Sequence, residues 1–241
     1  MDIISGTCFT QVMSSHLVQG RCVDMPVRVR EASACSVMFA VPARVARSTI
    51  EHSGLDVVEP VPGRALCSLA FVRYVDGDLG RYHEFAVAFL VRAPRGRRPG
   101  AFIHRLPVDQ SFTLEAGRTI WGFPKCMADI DLRSDGPVRR CTVRQDGRLV
   151  VDLLVRRGLP VPGGIAAVDA YTHLDGTTRR IPWTVRPSGL RGRPGGARIR
   201  LGDHPVADEL ARLGLPRTAL LTSTIDNLAM EFQDAETCAR S

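Results

Sequence analysis

Lys125 is the only lysine in this 241-residue chain, so 31 of its 32 basic residues are arginines. Arginine stays protonated and cannot condense with a carbonyl, whereas a lysine that sheds its proton can form a Schiff base with a ketone or aldehyde. The amine is set in Trp121-Gly122-Phe123-Pro124-Lys125-Cys126-Met127, and apolar surroundings favour the neutral, nucleophilic form of an amine. The competing reading is a last surface lysine in a chain biased toward arginine.

A second candidate lies upstream. Tyr82 to Val91 is rich in β-formers, and the period of two puts Phe85, Val87, Phe89 and Val91 on one strand face with Tyr82, Glu84, Ala86 and Ala88 on the other. Glu84 can move protons, and Tyr82 can donate a hydrogen bond to a substrate oxygen. A solvated strand face is the alternative for both. Trp121 and Phe123 are candidate pocket wall or plain core. Cys126 reads as a small buried hydrophobe rather than a reactive thiol.

Metal and redox chemistry find no support. The six histidines are isolated, and the seven cysteines form no CxxC pair. Reduced thiols, no disulfide framework, no metal and no cofactor are expected.

The elements that must position Lys125 and Glu84 are mostly strands. Ala65 to Val75 and Tyr82 to Val91 flank a turn cluster, Val75-Asp76-Gly77-Asp78-Leu79-Gly80, and together read as a hairpin. Further strands are expected over Met127 to Leu132, Val138 to Val143 and Leu149 to Val155, the last two joined at Gln145-Asp146-Gly147. Ala170 to Leu174 and Thr178 to Val185 meet across Asp175-Gly176, followed by Arg198 to Leu201 and Thr218 to Phe232. Two helices are expected. Pro42 opens one that Gly54 ends, and Asp203 or His204 caps another that Gly214 and Pro216 end.

With 44% hydrophobic residues, one compact domain over residues 1–241 is the simplest organisation, residues 1–26 being a candidate peripheral segment. No apolar run is long enough to span a bilayer, and Met1 to Gly20 lacks a basic start followed by an apolar stretch. A soluble cytoplasmic protein without membrane partners is expected. The net charge of +7 favours anionic partners. Much of the excess sits in Arg92 to Gly100 and Arg186 to Arg200, which read as solvated loops and contain no aromatic residue for base stacking. Nucleic acid is therefore not an expected partner.

Gly117-Arg118-Thr119-Ile120-Trp121-Gly122-Phe123-Pro124-Lys125 resembles the acetoacetate decarboxylase superfamily around its Schiff-base lysine. The likeness extends to Leu79-Gly80-Arg81-Tyr82-His83-Glu84 and to Leu221-Thr222-Ser223-Thr224-Ile225-Asp226, covering most of the chain from about Val27. It implies an α+β, mainly antiparallel β fold: a cone-like barrel with a flanking sheet and a few short helices. By motif, Lys125 takes the place of the nucleophile and Glu84 that of an active-site glutamate. The resemblance also implies an arginine near the substrate carboxylate, for which Arg30 is the nearest candidate and Arg28 the alternate. Glu115 and Arg118 are candidates to tie down the loop presenting the lysine.

Three departures qualify the likeness. Cys126 stands where the decarboxylases carry a second lysine; acetoacetate decarboxylase is itself the general example of an amine activated by an apolar pocket or a nearby cation. No acid occurs in Ala65 to Phe71, where the family has one before Glu84, and Phe123 replaces a frequent tyrosine. The implied function is a Schiff-base lyase on a small keto acid, foremost a β-keto acid decarboxylase. An imine-dependent aldolase or dehydratase on pyruvate-like or larger keto acids, and a non-catalytic ligand-binding member of the fold, are the alternatives. The family also implies a homo-oligomer.

Overall fold

The computed structural model describes residues 14–93 and 99–238. The strands that build the site are, in chain order, β1 (Val27–Pro42), β2 (Arg64–Gly77), β3 (Tyr82–Arg92), β4 (Gly100–Val108), β5 (Lys125–Met127), β6 (Ala166–Leu174), β7 (Thr177–Ser188) and β8 (Asn227–Phe232). All except β5 close into a seven-stranded barrel. Neighbours around it run β1, β2, β3, β4, β6, β7, β8 and back to β1, every pair antiparallel but β4 with β6. Closure pairs the backbone groups that an open sheet would leave at its edges. The short β5 adds in parallel beside β4, with Leu106 opposite Lys125.

Alternation along the hairpin strands divides their side chains between two environments. Phe71 on β2 and Phe85, Val87 and Phe89 on β3 point out of the barrel and join one core with Val143 and Leu153. Those partners belong to a flanking antiparallel sheet whose spatial order is Ala197–Leu201, Arg148–Arg156, Val138–Gln145, Asp129–Asp135. Each such side chain, fully buried, contributes about 1.5–3 kcal/mol of transfer free energy. The alternate residues, Tyr82, Glu84, Ala86 and Ala88, face the barrel lumen rather than solvent. The short side chains of Ala86 and Ala88 leave a hollow there.

Helices α1 (Ala43–Ile50) and α3 (Pro205–Arg212) follow the expected signals. Gly54 (φ +68°) comes after the short turn that extends α1, while His204 caps α3 by accepting a hydrogen bond from the Val206 N–H. A third helix, α2 (Ser111–Ala116), runs into a five-residue π-helical segment, Gly117–Trp121. With the hairpin Ser15–Val18 and Arg21–Asp24, it packs in a second core over one end of the barrel. Among the described residues, no helix is long and apolar enough to cross a membrane.

Several expectations need correction. Arg186 to Arg200 is not a loop: it holds the end of β7, a strand at Arg191–Arg193 and most of Ala197–Leu201, separated by turns with positive-φ glycines at 189, 195 and 196. Its Gly/Pro/Arg content marks the turns, and the arginines are carried on strands. Residues 94–98 of the other arginine-rich stretch lie outside the described residues. The expected strand Met127 to Leu132 breaks at Ala128, and Thr218 to Phe232 breaks at Asp226 between Leu221–Ile225 and β8.

Candidate active site

Lys125 is brought to the lumen by three local devices. The π-helical segment ends at Gly122, whose φ of +68° lies in the left-handed region natural to glycine. Pro124 then carries a tight turn in which the Lys125 N–H donates to the Phe123 carbonyl at 2.7 Å. The chain finally enters β5, where pairing with β4 fixes which way residue 125 points. Trp121 anchors the turn: its indole N–H donates to the Gln233 carbonyl at 2.8 Å, and its own carbonyl accepts from Thr172 Oγ1 at 2.9 Å.

Lys125 is only 3% exposed. Its Nζ lies 2.9 Å from Glu84 Oε2, donates to Thr113 Oγ1 at 3.0 Å, and sits 5.1 Å from the centre of the Tyr82 ring. Glu84 is buried in turn, and its Oε1 accepts a hydrogen bond from the Tyr74 hydroxyl at 2.9 Å. Tyr74 and Tyr82, opposite each other on β2 and β3, stack with centroids 4.1 Å apart. Burial and then the negative charge of Glu84 push both phenols well above the ordinary tyrosine range. They remain neutral hydrogen-bond donors at any working pH.

These groups open on a cavity of about 430 Å3 inside the barrel. Among the described residues, Lys125 and Glu84 are the only charged side chains lining it. Tyr82, Trp121 and Phe123 form part of the wall. The inward positions of Ala65 to Phe71 are Leu66, Ser68 and Ala70, so no second acid enters from that strand.

Five of the six sequence-derived site residues therefore meet at one cavity; Arg30 does not. Its guanidinium is half-exposed on the outside and bound to Asp76 (2.8 Å) and Asp78 (2.6 Å) at the hairpin turn. The positive charge for which the resemblance made Arg30 a candidate carboxylate partner is taken up by those two aspartates. The alternate, Arg28, is also exposed and pairs with Glu231. Glu115 braces the π-helical segment by accepting from Thr119 Oγ1, whereas the Arg118 side chain is exposed. Cys126 is half-buried with its thiol pushed up by burial, as suits a packing residue.

Two members of the site escaped the sequence reading. Tyr74 was within reach, because the period of two through Ser68, Ala70 and Val72 leads to it on the lumen face of a recognised strand. Thr113 was not: α2 is six residues long, too short for an amphipathic period to show.

A family profile described as acetoacetate decarboxylase (ADC) matches residues 12–234. The chain belongs to the acetoacetate decarboxylase family. Acetoacetate decarboxylase 2 of Mesorhizobium japonicum is 28% identical over 199 residues, covering 76% of this chain and 72% of that protein. The same fold occurs in the solved acetoacetate decarboxylase of Legionella pneumophila, with a TM-score of 0.66 at 16% identity over 89% of this chain and 87% of the other. It also occurs in the enduracididine biosynthesis enzyme MppR complexed with pyruvate, with a TM-score of 0.68 at 17% identity over 88% of this chain and 90% of the other. Family membership makes a lyase-type enzyme the coarse reading.

Proposed function

We propose that this member of the family is a carbon–carbon lyase that joins Lys125 to a keto acid as an imine and decarboxylates a β-keto acid through the enamine. The observation that carries this reading is the Lys125 amine itself: buried, held by Glu84 and Thr113, and opening on the barrel cavity.

Glu84 accepts a proton from the Lys125 ammonium, and the free amine attacks the substrate carbonyl carbon. The proton returns from Glu84 to the carbinolamine oxygen, which leaves as water, and a protonated imine remains. The electron pair of the bond to the carboxylate then moves into the imine, so CO2 departs and an enamine is left. A proton from solvent, relayed by Glu84, saturates the enamine carbon; water hydrolyses the imine and frees the ketone and the amine. An apolar wall solvates a carboxylate poorly and CO2 well, so the site strains the group that leaves. Tyr74 holds the Glu84 carboxylate and Thr113 orients the amine.

Aldol or dehydratase chemistry is the second reading, favoured by the shared fold with MppR, which has been solved with the condensation product of pyruvate and imidazole 4-carboxaldehyde. It begins with the same imine. The test is borohydride reduction in the presence of β-keto acids and of pyruvate. Lys125 is the chain's only lysine, so peptide mapping separates its adduct from one at the N-terminal amine. Adduct and CO2 release from a β-keto acid, both lost in Lys125→Arg, are expected; the absence of an adduct with every keto acid overturns the imine. Pyruvate consumption with an aldehyde, without CO2 release, would select the second reading.

A further inference from the structure

The lumen continues well past the amine. On the hairpin, Val72 pairs with Glu84, Ala70 with Ala86 and Ser68 with Ala88, and each step of two residues advances about 7 Å along the strands. The neighbouring strand β1 adds Ser36 opposite Ala70, and β4 contributes Ala101 to the same wall. Small side chains thus clear a trough that runs about 13 Å beyond Glu84, with Leu66 and Leu90 lining its far part. The Ser36 and Ser223 hydroxyls bond each other at 2.8 Å, so they make no strong demand on a ligand.

Size and charge point the same way. A cavity of about 430 Å3 falls in the range of roughly 300–1,000 Å3 that encloses ligands of drug-like size. A small keto acid would leave most of it empty. A carboxylate placed there meets no guanidinium among the described residues, because Arg30 is spent on Asp76 and Asp78 outside the barrel.

We infer that the substrate is a β-keto acid bearing an extended apolar acyl or aryl substituent, which lies along the trough of Ala70, Ala86, Ser68 and Ala88 while its carbonyl meets Lys125. Recognition comes from burial of that tail. The placement of the carbonyl rests on the imine reading above; the placement of the tail does not.

The test uses 2-alkanones and matching 3-oxo acids of increasing tail length. Both tryptophans of the chain, Trp121 and Trp183, line the cavity, so their fluorescence reports occupancy without turnover. Binding of 2-alkanones to the Lys125→Met variant should tighten about fourfold per buried methylene until the trough is full. The acid should gain nothing over the ketone. Ala88→Leu should weaken long ligands and spare short ones, and Ser68→Leu, across the hairpin, serves if the first variant melts early. Borohydride adducts on the wild type are measured in parallel. Adducts with short keto acids but no gain with tail length overturn the tail and leave the imine standing. Tail-dependent fluorescence without any adduct supports the tail and overturns the imine. No binding and no adduct remove both.

Discussion

A β-carbon placed on Gly117 would lie 2.6 Å from Cδ and 2.7 Å from Cε of Lys125. The stem of the lysine passes against this residue so closely that only a hydrogen fits. Gly117 has an ordinary helical φ of −62°, so the glycine is needed for space and not for backbone freedom. Gly117→Ala should displace the amine from Glu84, cutting kcat/KM by about 100-fold, as misplacement of reacting groups by an ångström does. Adduct yield with borohydride against melting temperature checks this. A variant that melts normally yet still forms the adduct at the wild-type rate would count against the packing argument.

Glu84→Gln keeps the shape of the side chain and removes its capacity to accept a proton. Loss of a positioned acid/base costs about 100- to 10,000-fold, and the fall should appear in kcat. Tyr74→Phe removes the hydroxyl that bonds Glu84, the kind of charge-assisted contact that contributes about 1.5–3 kcal/mol, so kcat should fall by about tenfold or more with KM unchanged. Steady-state kinetics on the best β-keto acid resolves the two, and a Tyr74→Phe effect confined to KM would reassign the tyrosine to binding.

Arg30→Ala should leave kcat/KM for keto acids at the wild-type level, since Arg30 faces Asp76 and Asp78 outside the barrel. A loss that scales with the presence of a substrate carboxylate would return Arg30 to the site.

The three tyrosines all have phenol groups raised above their usual range, in each case chiefly by burial. A phenol held neutral in the folded state ionises first in the unfolded chain, so stability is full below about pH 10 and falls as pH rises beyond it. Phenolate absorbance should therefore appear together with loss of the far-ultraviolet circular dichroism signal. Ionisation of Tyr74 and Tyr82 ahead of unfolding would contradict their enclosure by the second core.

Much of this site was legible because its signals are local. A lone lysine among aromatics, and a strand alternating between large and small side chains, speak through composition and a period of two. The same alternation left open whether Glu84 faces solvent or lumen, since only closure of the barrel by β8 against β1 makes an inside. Arg30 misled for a related reason: a motif fixes neighbours along the chain, but Asp76 and Asp78, which claim its charge, come from a turn more than 40 residues away. Gly117 stood in the recognised motif, yet its reason became visible only when the stem of Lys125 was found lying across it. The π-helical segment carries no sequence period of its own and went unread.

The hairpin strands hold the fold with one set of side chains and shape the hollow with the alternate set. Inheritance can therefore rewrite Ser68, Ala70, Ala86 or Ala88 while Phe71, Phe85 and Phe89 keep the scaffold intact. New cavity shapes are reachable here one substitution at a time, without a detour through unfolded ancestors.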